Sequence, residues 1–70
     1  MPMKSHEKLK LKRLIQNLTQ EAMGAKLNMS QNAYSLLENG KTRLDEQRIM
    51  QIAKALQIKP TEIISDDLLG

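Results

Sequence analysis

LTQEAMGAKLNMSQNAYSLLENGKT, residues 18–42, reads as two short helices separated by a tight turn. Thr19 is placed to cap the first, QEAMGAKL, in which Ala22, Met23 and Leu27 fall on one face. Asn28 tolerates the left-handed conformation and can end that helix. Ser30 is the next N-cap, and QNAYSLLEN follows with Ala33, Tyr34 and Leu37 on a common side. Gly40 after Asn39 is a C-terminal stop.

Two helices joined so closely must cross, and the crossing needs a small residue. Gly24 supplies it, with the turn residue Asn28 four positions on. A glycine inside a helix costs about 1 kcal/mol relative to Ala, so close packing explains what helix propensity does not. Met23, Met29, Tyr34 and Leu37 are then expected to lock the pair together, Tyr34 as a core residue. The segment from Thr19 to Asn39 has the shape of a helix-turn-helix.

On the N-terminal side, Leu11, Leu14, Ile15 and Leu18 recur at helical spacing, with Lys8, Lys10, Lys12 and Arg13 between them. This predicts a first helix from about Ser5 to Gln16, broken by NLT. On the C-terminal side, Asp45 caps EQRIMQIAKALQ, whose Ile49, Ile52, Ala53 and Leu56 make the clearest apolar stripe in the chain. Pro60 suits the first turn of a short fifth helix, PTEII. The expectation is one all-α domain of five short helices spanning residues 1–70, with a core at about 8–64 and flexible termini.

Seventy residues with no cysteine exclude a disulfide framework, a thiolate metal site and a thiol nucleophile, and fit a reducing cytoplasm. A core of this size supplies only about 3–5 kcal/mol, so further burial by dimerisation is plausible on physical grounds. One Tyr is the sole aromatic residue, which leaves Leu, Ile, Met and Ala to build the core. No apolar run approaches the roughly 20 residues needed to span a bilayer, and the N-terminus lacks the apolar stretch of a signal peptide. The net charge of +3 is unevenly spread: residues 1–17 hold Lys4, Lys8, Lys10, Lys12 and Arg13 against Glu7, whereas residues 45–70 are net acidic. A basic front and an acidic back suit an oriented meeting with a polyanion.

GKT at residues 40–42 ends like a phosphate-binding loop, but that loop also needs a glycine at position 35 and a preceding strand. Position 35 is Ser35, and a helix precedes it. Lys4, Lys8, Lys10 and Lys12 read as a solvated face rather than a contact surface, and His6 is given no role. No metal cluster, no nucleophile with a base and no convergent pair of acids is visible, so neither an enzyme nor a cofactor is expected.

LTQE, SQ with ENGK eight residues later, and IAKAL together resemble the Cro/repressor-type helix-turn-helix of the XRE family, which includes the lambdoid phage repressors; the likeness runs from about Leu9 to Ile64. The resemblance implies a lambda-repressor-like fold with Ser30–Asn39 as a recognition helix entering the DNA major groove N-terminus first. Gln31 and Asn32 would face base edges, where amides can pair with adenine, and Ser35 and Leu36 would lie one turn on. Leu36 departs from the usual polar residue; it can touch a thymine methyl or face a partner protein. Gln20 matches a phosphate-contacting glutamine at the start of the second helix, and Ser30, Asn39, Lys41, Thr42 and Arg43 match positions that grip the backbone. Arg13 and Glu38 correspond to an internal ion pair, a structural role. Asn28 replaces the usual turn glycine, Ala22 an acid at the helix start, and Leu44 stands where proline is frequent.

The implied function is a sequence-specific, double-stranded-DNA-binding transcriptional regulator of the cytoplasm and nucleoid. It would act as a repressor, a homodimer on a palindromic operator. Ile58, Ile63, Ile64, Leu68 and Leu69 can either form the dimer contact or finish the core. The alternative is an antitoxin or other protein-interaction module, with a toxin or similar protein as partner and DNA binding secondary.

Overall fold

The computed structural model describes residues 3–65. Helix α1 spans Ser5–Ile15, α2 Gln20–Lys26, α3 Gln31–Glu38 and α4 Glu46–Leu56. Among the described residues there is no strand. Three helices start where a side chain accepts an otherwise orphaned backbone N–H: Thr19 Oγ1 from Ala22 at 3.0 Å, Ser30 Oγ from Ala33 at 3.1 Å, and Asp45 Oδ1 from Arg48 at 2.7 Å.

All four helices end in one way. Asn17, Asn28, Gly40 and Gln57 take left-handed backbone conformations, with φ of 58°, 58°, 74° and 57°. In each case the next residue donates its N–H back across the last turn: Leu18 to Arg13, Met29 to Gly24, Lys41 to Leu36 and Ile58 to Ala53. This is the Schellman closure, which satisfies carbonyls that a helix end leaves bare. Asn and Gly suit it; Gln57 does not. Each helix stops one residue before the sequence suggests, at Ile15, Lys26, Glu38 and Leu56, because the last residue of each run is the cap.

The expected fifth helix is a single 3₁₀ turn, Pro60–Glu62. Ile63 and Ile64 donate to the Pro60 carbonyl, but the Ser65 N–H goes to Ser5 Oγ at 3.1 Å, so the turn cannot continue. Ser65 Oγ in turn donates to the Met3 carbonyl, holding this end of the chain against the start of α1.

Leu9, Met23, Tyr34, Ile52 and Ile63 are fully buried, and Leu27, Leu37, Leu44, Ile49 and Leu56 complete the core around them. Each such Leu or Ile contributes about 1.5–3 kcal/mol on burial. The face that α1 buries is not its apolar stripe. Ser5, Leu9 and Arg13 point inward, while Leu11, Leu14 and Ile15 remain 44 %, 51 % and 63 % exposed. The inward polar residues are tolerated because each is bonded across the fold.

Two of the three lysines of α1 do more than face solvent. Lys8 Nζ donates to the Ile64 carbonyl at 3.1 Å and Lys12 Nζ to Glu62 at 3.3 Å; with Gln16 Nε2 on the Leu56 carbonyl at 2.8 Å they clamp the C-terminal segment to α1. Ile63 is fully buried and Ile58 and Ile64 pack on the core, so these three finish the core; Leu68 and Leu69 lie outside the described residues.

Candidate nucleic-acid interface

The site is built on the α2–α3 crossing. An ideal Cβ placed on Gly24 would lie 2.9 Å from the Met29 carbonyl oxygen and 3.2 Å from that of Ser30. The turn that leads into α3 can therefore reach α2 this closely only because position 24 has no side chain. Met23 and Leu27 from α2 meet Tyr34 and Leu37 from α3 beneath the crossing.

With Tyr34, Leu37 and Glu38 turned inward, helical periodicity leaves Gln31, Asn32, Ser35 and Leu36 on the outer side of α3. Gln31 and Asn32 are exposed in the first turn, and among the described residues neither amide enters a hydrogen bond. Leu36 is 46 % exposed beside them. Ser35 and Asn39 are joined, Asn39 Nδ2 donating to Ser35 Oγ at 3.3 Å, and the Ser30 hydroxyl is engaged as the cap of α3.

Beyond α3 the loop turns sharply at Gly40 and is pinned by the Lys41 and Thr42 N–H groups on the Leu36 carbonyl, at 2.9 and 3.2 Å. Leu44 plugs the loop into the core. Lys41, Thr42 and Arg43 stay exposed, and among the described residues neither cation enters a side-chain hydrogen bond or ion pair. Two positive charges without an ion-pair partner among the described residues thus stand in the loop after α3, an arrangement suited to a polyanion.

The scaffold behind this face is an ionic one. Arg13 Nε and Nη2 donate to the two Glu38 carboxylate oxygens at 2.8 and 2.7 Å, and Arg13 Nη1 donates to the Leu18 carbonyl at 2.6 Å. Gln20 Nε2 lies 3.4 Å from Glu38 Oε1, so the start of α2 joins the same group. Burial is the largest single influence on the Glu38 carboxyl and would raise it, but the hydrogen bonds and charge of Arg13, together with the polar groups of Tyr34 and Gln20, outweigh it in sum and hold the group below the usual carboxylate range. Glu38 in turn raises the Arg13 guanidinium. The Tyr34 hydroxyl is buried beside the pair without a well-directed hydrogen bond; burial first, and the Glu38 carboxylate second, push its ionisation above the ordinary phenol value.

His6 is the residue that sequence reasoning passed over. Its imidazole lies against Gly40, with Cε1 2.8 Å and both ring nitrogens 3.0 Å from where a Cβ would stand. No local pattern signals this, because it depends on how the start of α1 crosses the α3–α4 loop.

Among the described residues no group of three or more His, Cys, Asp or Glu side chains could hold a metal ion, and no helix is long and apolar enough to cross a membrane. No curated protein and no solved structure matches the chain. The family model HTH_3, described as helix-turn-helix, matches residues 9–63, which takes in all four helices from Leu9 onward and the buried Ile63. The crossing at Gly24, the outward amides of α3 and this match agree, and the chain belongs to the XRE-type helix-turn-helix family of DNA-binding transcription regulators.

Proposed function

We propose that the protein is a sequence-specific repressor that works by occupying a palindromic operator as a homodimer, within the cytoplasm and on the nucleoid. The observation that carries this reading is the outer face of α3, where Gln31 and Asn32 stand exposed and unbonded at the helix start, while the unpaired cations of Lys41 and Arg43 stand exposed in the loop that follows its other end. Gln31 and Asn32 read adenine edges in the major groove, Ser35 and Leu36 lie over the next bases, and Gln20, Ser30, Asn39, Lys41, Thr42 and Arg43 hold the flanking backbone. Two copies place their recognition helices one helical turn apart, about 34 Å. The domain as a whole, about residues 8–64, is the unit that docks.

Base readers and backbone holders respond differently to substitution. Lys41→Ala is expected to weaken binding to all duplexes alike and to lower the salt slope by about one, whereas Gln31→Ala relaxes preference at one base position. Equal loss of preference in both variants, or in neither, contradicts the assignment.

A second reading, an antitoxin or protein-interaction module, draws on the solvent-facing Leu11, Leu14 and Ile15 of α1, which a DNA reader does not need. Replacing Gln31, Asn32 and Lys41 together separates the two: operator occupancy is lost in either case, but capture of a co-expressed protein partner survives only if α1 is the binding surface.

A further inference from the structure

We propose that His6 is a further contact to the DNA backbone, its imidazole sharing one phosphate with the side chains of Lys41, Thr42 and Arg43. The inference rests on the DNA-binding reading of the α3–α4 loop and adds to it a residue from another helix. The start of α1 and that loop enclose a shallow depression of about 420 Å³. His6, Lys41, Thr42 and Arg43 bring imidazole, ammonium, hydroxyl and guanidinium groups to its walls, and no carboxylate lines it. A hollow walled by donors is chemically matched to a phosphate, which accepts hydrogen bonds on its oxygens. Carboxylates line the adjoining grooves: Glu7 and Glu38 on one side, Glu38 being taken up by Arg13, and Asp45 and Glu46 beyond Arg43 and Leu44 on the other.

The imidazole is held in place by the loop. His6 is half-buried, and its ring reaches the loop backbone because Gly40 has no side chain and adopts φ of 74°. In either protonation state the imidazole offers at least one N–H donor. Gly40 thus serves twice, closing α3 and seating His6.

The test uses the full chain, the duplex recovered by selection and a duplex of random sequence. His6→Ala is expected to weaken binding to both duplexes about ten- to a hundredfold, with base preference unchanged, as for loss of one hydrogen bond to a charged group. His6→Phe, which keeps an aromatic ring against Gly40 but removes the donors, should lose as much; His6→Gln, which keeps a donor, should recover most of it. Methylphosphonate substitution at single phosphates then locates the contact: one neutral linkage that weakens wild-type binding should cost His6→Ala much less. Circular dichroism of each variant reports whether it is folded. Wild-type affinity in a folded His6→Phe, or a loss that adds equally to every neutral linkage, overturns the inference and leaves the DNA reading standing. Failure of the wild-type chain to bind either duplex overturns both.

Discussion

Arg13 on α1 and Glu38 at the end of α3 meet in a two-pronged, buried ion pair, with side chains 8 % and 0 % exposed. The pair fixes α3, at its C-terminal end, to α1, just before the loop that carries Lys41 and Arg43. Removing one member strands the other charge in the interior, which costs about 3–5 kcal/mol. That equals the whole stability expected of so small a core. Arg13→Met or Glu38→Gln alone should therefore leave the chain largely unfolded in urea titrations, whereas Arg13→Met with Glu38→Leu should recover much of the loss.

The same pair sets the acid limit. Glu38 ionises at lower pH in the folded chain than in the unfolded one, so it adds stability above the unfolded value, about 4.3. That contribution is lost as pH falls through the lower folded value. Thermal melting should vary little on this account from neutrality down to about pH 5 and drop steeply below about pH 4. Arg13→Met with Glu38→Leu should flatten that acid limb; an unchanged limb would show that other groups cause it.

Gly24→Ala tests the crossing of α2 and α3. Helix propensity alone predicts a gain of about 1 kcal/mol. The added methyl, however, meets backbone oxygens of Met29 and Ser30, which cannot swing aside as a side chain would. A net loss of about 1–3 kcal/mol is expected in denaturant unfolding. A stabilised variant would mean that the two helices are not so closely joined.

On α1 the inward and outward residues should respond in opposite ways. Leu9→Ala empties a fully buried site and should cost about 2–5 kcal/mol. Leu14→Gln, at a half-exposed site, should stay within about 0.5 kcal/mol of wild type. If Leu14→Gln proves the more damaging in thermal melts, the orientation of α1 is wrong.

Gln57→Gly should stabilise. Gln57 is held at φ of 57°, where a residue with a side chain is strained and glycine is not. A gain of about 1 kcal/mol is expected in urea unfolding, with no change in DNA affinity.

Much of this architecture was legible in the residues, for local physical reasons. Thr19, Ser30 and Asp45 mark helix starts because their side chains reach the first bare amides, and Asn28 and Gly40 mark ends because they tolerate a left-handed backbone. Gln57 carries no such signal, and every run is one residue longer than its helix because its last residue is the cap. The fifth helix failed because Ser65 bonds to Ser5, a contact between opposite ends of the chain. Periodicity locates α1 but does not orient it: Leu11, Leu14 and Ile15 form the apolar stripe, while the inward face uses Leu9 with Ser5 and Arg13, whose partners lie 60 and 25 residues away. His6 was missed for the same reason. At the candidate interface, the outward amides and the loop cations follow from the helix register; their roles toward DNA rest on family likeness and on charge.

The central claim is that α3 reads DNA sequence through Gln31 and Asn32. It is tested most directly by selecting bound duplexes from a random library with the wild-type chain and with Gln31→Ala in parallel, at physiological salt. The account predicts that the wild type enriches an inverted repeat with half-site centres about 10 bp apart. In the variant, the same repeat should return with one position per half-site degenerate. Recovery of an identical, undegraded motif by Gln31→Ala, or no enrichment by a folded wild-type chain, would contradict it.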